Sequence, residues 1–252
     1  MDPNETHAKP PYVKPLGSIG NYYTVWAVDG SWLRKHWDPV FSNFGHSYLY
    51  HQVPRDELWI DWQTAPEKEW PFFIHRMLFE IELMKSGMAY PEASKLSAEE
   101  EKQERARVKG LPERPRGSYT EHDVRIEQIG TLTLVEWGVT KIFLVDGEEV
   151  RDFYDTDYFS GGHGLIDTYM PEKEIWIEAF LDANERLFTL YHEVREHRAM
   201  ALGGKTYVQA HAEAALAETA YLNHPENLWN VLRSLGFKGT VMKAHGSSRE
   251  RA

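Results

Sequence analysis

The chain has 252 residues, a net charge of −11, 42% hydrophobic residues and no cysteine. This size and balance fit one large globular domain or two small ones, and the acidic surplus argues against a nucleic-acid partner. Without cysteine there can be no disulfide, thiol nucleophile, cysteine-ligated zinc or iron–sulfur cluster.

In chain order, residues 1–19 read as an irregular N-terminal tail, with no basic-then-apolar leader pattern in "MDPNETHAKPPYVKPLGS". No stretch reaches the roughly 20 apolar residues of a membrane helix, so the expectation is a cytoplasmic protein with no membrane partner. Val28-Asp29-Gly30 recurs at Val145-Asp146-Gly147, an offset of 146 − 29 = 117. At that offset Gly45-His46 meets Gly162-His163, Trp59 meets Trp176, His75 meets His192, Tyr90 meets Tyr207 and Glu101 meets Glu218. A repeat of this density reads as a duplication. The expected fold class is α+β, a tandem duplication of a module with a small antiparallel sheet and two packed helices. Residues 20–110 form the first, degenerate copy and 121–225 the second. Residues 111–120, around "LPERPRG", read as a linker, and 226–252 as a short helix and a mobile tail.

Each module has the same expected grammar. Strands meet at Asp-Gly, a tight-turn signal. In the second copy a glycine-rich loop follows, "FSGGHG" at 159–164, and then a short aromatic strand, "EIWIEAF" at 174–180. A helix runs from about Asn184, its expected N-cap, to Gly203-Gly204. A second helix covers 206–222. Trp59 and Trp176 are assigned to the core. Shifting the helix by one residue would align Glu80 with Glu196, and the sequence does not choose between the two registers.

Features found in one copy only are the candidates for chemistry. At the offset of 117 the second copy has Glu193, Glu196 and His211 where the first has Arg76, Phe79 and Ser94. His192 and Glu196 stand at i and i+4, one turn apart on one side of a helix, with His197 on the opposite margin. Tyr207, His211, Ala214 and Glu218 form a stripe on the next helix, and an antiparallel pair could bring His211 toward His192. Two imidazoles and a carboxylate (His192, His211 and Glu196) suit zinc with one position open for water. Glu193 could take a proton from that water. Glu218 is a further ligand, or an acceptor that holds His211 in its tautomer. The bland alternative is a solvated His–Glu pair beside a packed histidine. His163 recurs as His46 and is assigned a structural place in its loop. There is no phosphate-loop lysine, no Gly-x-Ser-x-Gly elbow and no calcium-loop pattern around Asp152, Asp155 and Asp157.

Residues 174–218 resemble the zincin metallopeptidases, whose motif is His-Glu-x-x-His with a third ligand on a later helix. Here the motif reads His192-Glu193-Val194-Arg195-Glu196, with glutamate in place of the second histidine. The resemblance implies His192 and His211 as ligands, Glu193 as general base and a peptide or amide substrate. The strand at 174–178 could then hold an extended peptide by edge pairing. The chain is also similar to bacterial and phage sequences with His-Glu and Ala-His elements. The competing expectation is a non-catalytic scaffold with a protein partner, such as a phage or virion assembly component. It requires no metal and calls for an extended apolar patch on both copies.

Overall fold

A computed structural model describes residues 11–39, 41–64, 66–111, 132–137, 140–222 and 224–235. Among them are eight strands and seven α-helices, an α+β protein, in two compact units. Unit 1 comprises residues 1–118 with 147–159, and unit 2 comprises 119–146 with 160–252. Among the described residues no helix is long and apolar enough to cross a membrane.

In unit 1, β1 (Tyr12–Ile19) pairs antiparallel with β2 (Tyr23–Val28), and β3 (Phe44–His46) antiparallel with β4 (Glu57–Asp61). β2 and β4 are parallel, giving the order β1-β2-β4-β3. The sheet is therefore mixed, not antiparallel as the sequence led us to expect. The difference lies in Asp29-Gly30. Instead of turning a hairpin, Asp29 caps α1 (Gly30–His36), its Oδ1 accepting from Trp32 N at 2.9 Å. The helix carries the chain across to a parallel return. Of the expected irregular tail at 1–19, residues 1–10 lie outside the described residues, and Tyr12–Ile19 is instead an edge strand. Its Pro15 and Gly17 are tolerated there, where pairing is broken by two register shifts.

α2 (Trp70–Lys85), preceded by a 3-10 turn at Glu67–Glu69, lays Phe73, Met77 and Ile81 on the sheet against Val25, Leu58 and Ile60. α3 (Tyr90–Lys109) packs beside it. α4 (Gly147–Phe153) belongs to this unit although it follows the second Asp-Gly, so the contiguous modules 20–110 and 121–225 do not hold as drawn. Buried charge explains the exchange. Glu69 accepts from Arg151 Nε at 2.8 Å and from Arg105 Nη1 at 3.0 Å, and Arg105 also donates to Asp152 at 2.9 Å. All but Asp152 are fully buried.

Unit 2 repeats the architecture. β5 (Leu132–Trp137), β6 (Thr140–Val145), β8 (Glu174–Glu178) and β7 (Gly161–His163) lie in the order β5-β6-β8-β7. The registers match those of unit 1: Thr24 faces Glu57 and Lys141 faces Glu174, both shifted by 117, as are Phe44–Ile60 and Gly161–Ile177. Trp59 and Trp176 are buried at 1% and 0% exposure, as expected of core residues. α5 (Ala183–Ala201) covers this sheet with Leu187, Leu190, Tyr191 and Val194. Its N-cap is Asp182 and not Asn184, with Oδ1 accepting from Asn184 N and Glu185 N. α6 (Tyr207–Thr219) starts in a capping box on Thr206 and Gln209. α7 (Leu228–Ser234) closes the core with Leu228 and Leu232. The linker at 112–120 and the tail from 236 lie outside the described residues.

Candidate metal centre

The site is built on α5, α6 and β7. The apolar stripe of α5 faces the sheet and turns His192, Glu193 and Glu196 toward α6 and β7. β7 can pass close under α5 because Gly161 has no side chain. A Cβ there would stand 2.6 Å from Thr189 Cγ2 and 3.2 Å from Glu193 Cγ. Two residues on, His163 meets the helix, with Nε2 3.0 Å from Glu196 Oε1.

The three residues expected to bind metal do converge. His192 Nε2 lies 3.1 Å from His211 Nδ1, His211 Nδ1 lies 2.8 Å from Glu196 Oε2, and His192 Nε2 lies 3.4 Å from that same oxygen. A circle through three atoms so spaced has a radius of about 1.8 Å. A point about 1 Å above their plane is then about 2.0–2.1 Å from all three, the usual zinc–nitrogen and zinc–oxygen distance. The three can therefore hold a metal ion. Glu218 sits on the far side of His192, its Oε2 3.1 Å from Nδ1. Accepting Nδ1–H leaves the Nε2 lone pair facing the other two donors. Glu218, expected as a further ligand or as the acceptor that orients His211, meets His192 instead. Side-chain exposure is 5% at Glu196, 14% at His192 and 44% at His211, so the cluster opens to solvent beside His211. The ring of Tyr207 flanks that opening, 5.4 Å from His211.

Electrostatically, the cluster favours positive charge. Burial opposes protonation of His192, but its hydrogen bonds to Glu196 and Glu218 prevail and push its pKa up to about 10. Burial would raise Glu196, yet hydrogen bonds from His163, His192 and His211 hold it well below the usual carboxylate range. Burial pushes Glu193 up, only partly countered by the neighbouring histidines. Burial also pushes Tyr207 up to about 12, helped by Glu196 and Glu193.

Unit 1 has the same frame with different contents. His46 Nε2 lies 3.2 Å from Glu80 Oε1, as His163 does from Glu196. The helix register is therefore 196 − 80 = 116, which settles the shift that the sequence left open. The counterpart of His192 is then Arg76 and not His75, which is half-exposed and 3.4 Å from Glu100. The Arg76 guanidinium is 4% exposed and donates to Glu101 at 3.4 Å, to Ser94 at 3.5 Å and to Asp157 at 2.6 Å. Glu101 and Ser94 correspond to Glu218 and His211. Where unit 2 gathers ligands, unit 1 carries a built-in cation.

Two expectations change. His163 is part of the cluster and not only of its loop; the repeated Gly-His before a strand was the available signal. β8 lies between β6 and β7, so residues 174–178 offer no edge for a peptide. His197, as expected, stays out of the ligand set. It is buried, with its ring edge-on to His163 at 5.3 Å. No protein family, curated protein or solved structure matches this chain, so none identifies a zincin-like metallopeptidase.

Proposed function

We propose that the chain is a metal-dependent hydrolase with its ion held by His192, Glu196 and His211. The observation that carries this reading is the convergence of those three donor atoms on one point at ligand distance. Arg76 supports it, because the matching frame in unit 1 supplies its own positive charge. Zinc suits two imidazoles and a carboxylate with a position left open. The same donor set also suits non-haem iron(II), so the metal that copurifies is itself a readout. A bound ion would polarise a carbonyl and acidify water. Glu193, whose carboxyl burial pushes up, is suited to take that water's proton. The substrate class proposed is a peptide or amide, entering from the open His211 side.

The scaffold alternative has less support. In unit 2, Leu202, Val208 and Leu216 are exposed at 75%, 74% and 73%. At the offset of 117 unit 1 has Lys85, Pro91 and Glu99 instead, so these three are not repeated, although Tyr90 and Tyr207 are exposed in both units at 38% and 43%. Elemental analysis of the purified chain tests the reading. About one ion per site, lost in His192→Ala with His211→Ala, is expected. Peptide or amide hydrolysis should then fall about 10²–10⁴-fold in Glu193→Gln. No metal, even after dialysis against zinc, would refute it.

A further inference from the structure

The geometry points to a second metal position in unit 2, formed by His163, Glu193 and Glu196, with Glu196 bridging the two ions. This inference rests on the metal reading of His192, Glu196 and His211, and it makes Glu193 a ligand in place of a free base.

The two oxygens of Glu196 face different groups. Oε2 faces His192 and His211, while Oε1 faces His163 Nε2 at 3.0 Å. Ligand atoms of His163, Glu193 and Glu196 all lie within 4.8 Å of one another. A carboxylate shared in this way holds two ions about 3.5–4 Å apart, the spacing of two-metal hydrolytic sites.

Comparison with unit 1 identifies the residue that changed. The His–Glu pair is common to both units, at 3.2 Å in His46–Glu80 and 3.0 Å in His163–Glu196, so the pair alone needs no metal. The difference is at the next helix position. Unit 1 has Met77 there, 0% exposed and packed in the core, and unit 2 has Glu193. Glu193 is only half-buried, so its carboxylate replaces a buried methionine at a place partly open to water, and a cation facing it would offset the remaining desolvation. An ion between Glu193, Glu196 and His163 would face that carboxylate. Gly161 leaves the space, since its missing Cβ would lie 3.2 Å from Glu193 Cγ. One imidazole and two carboxylates form a harder donor set than the first, suited to manganese as well as zinc.

Native mass spectrometry of the full chain titrated with zinc, and separately with manganese, tests the inference. Two ions per chain are expected in the wild type. One is expected in Glu193→Gln and in Glu193→Met, the latter restoring the unit 1 residue and guarding against a variant that fails to fold. One ion in the wild type, lost in His192→Ala with His211→Ala, would overturn the second position and leave the first standing. Two ions retained in both Glu193 variants would also overturn it. No ion in the wild type would overturn both readings.

Discussion

The correspondence between Arg76 and the histidine cluster predicts the outcome of an exchange. In metal-free protein, His192→Ala removes the contact with Glu218 at 3.1 Å and the longer one with Glu196 at 3.4 Å. A hydrogen bond to a charged group contributes about 1.5–3 kcal/mol. Glu196 is 5% exposed but keeps His163 and His211, while Glu218 at 21% is partly rescued by water. The expected cost is about 2–4 kcal/mol, a fall in Tm of roughly 5–15 °C for a chain of this size. His192→Arg with His211→Ser installs the unit 1 pair, so a guanidinium can reach Glu218 and the new hydroxyl as Arg76 reaches Glu101 and Ser94. This double variant should unfold within about 1 kcal/mol of the metal-free wild type, the usual range for a substitution that keeps its partners. It should bind no metal, and zinc should not raise its Tm. Thermal unfolding followed by circular dichroism at neutral pH, with and without chelator, makes the comparison. If the double variant is as unstable as His192→Ala, the two frames are not equivalent and the inference from Arg76 fails.

Other expectations follow from the same contacts. Because the pKa of His192 is raised from 6.5 to about 10, its contribution to metal-free stability is complete below pH 6.5 and lost as pH rises through 10. The metal-free wild type should lose stability over that window, and the Arg/Ser variant should lose less; equal loss would remove His192 as the cause. Burial alone would raise Glu69, but Arg105 and Arg151 hold it down at about 2 from 4.5. Its contribution, about 3 kcal/mol by linkage, is present above pH 4.5 and lost as pH falls through 2. Glu69→Gln should show that loss already at neutral pH in denaturant titration. Gly161→Ala places a methyl 2.6 Å from Thr189 Cγ2 and 3.1 Å from the Trp176 carbonyl. It should cost about 1–3 kcal/mol and weaken metal uptake by pushing β7 from α5, as calorimetric titration with zinc would read.

The parts of the site legible in the sequence were local. His192 and Glu196 are one helical turn apart, and α5 and α6 are joined by a short turn, so the approach of His211 and Glu218 follows from spacing alone. His163 was not legible in this way. It lies 33 residues before Glu196, and its approach depends on β7 pairing with β8. The Asp-Gly signal failed for a related reason. Aspartate followed by glycine fits a hairpin turn and a helix start equally well. The choice is made by the parallel pairing of β2 with β4, a contact between residues 33 positions apart such as Thr24 and Glu57.

The helix register shows how the two kinds of information combine. An offset of 117 keeps the strands and Glu101/Glu218 aligned, whereas 116 is needed for Glu80 and Glu196. A one-residue slip on a helix moves each side chain by about 100°, which would turn Glu196 and His192 together away from His163. The slip is absorbed in the connections on either side of α5, so both helices present the equivalent carboxylate to the equivalent histidine. Around the cluster the exchanges include Arg76/His192, Met77/Glu193 and Ser94/His211, beside Phe44/Gly161 and Ser97/Ala214. Two of the first three replace a cation and a hydroxyl by imidazoles, and the third adds a carboxylate. Together they remove a fixed positive charge and add donors around the space it filled. On the proposed metal reading, these exchanges replace the fixed cation of unit 1 by the donors for a bound one.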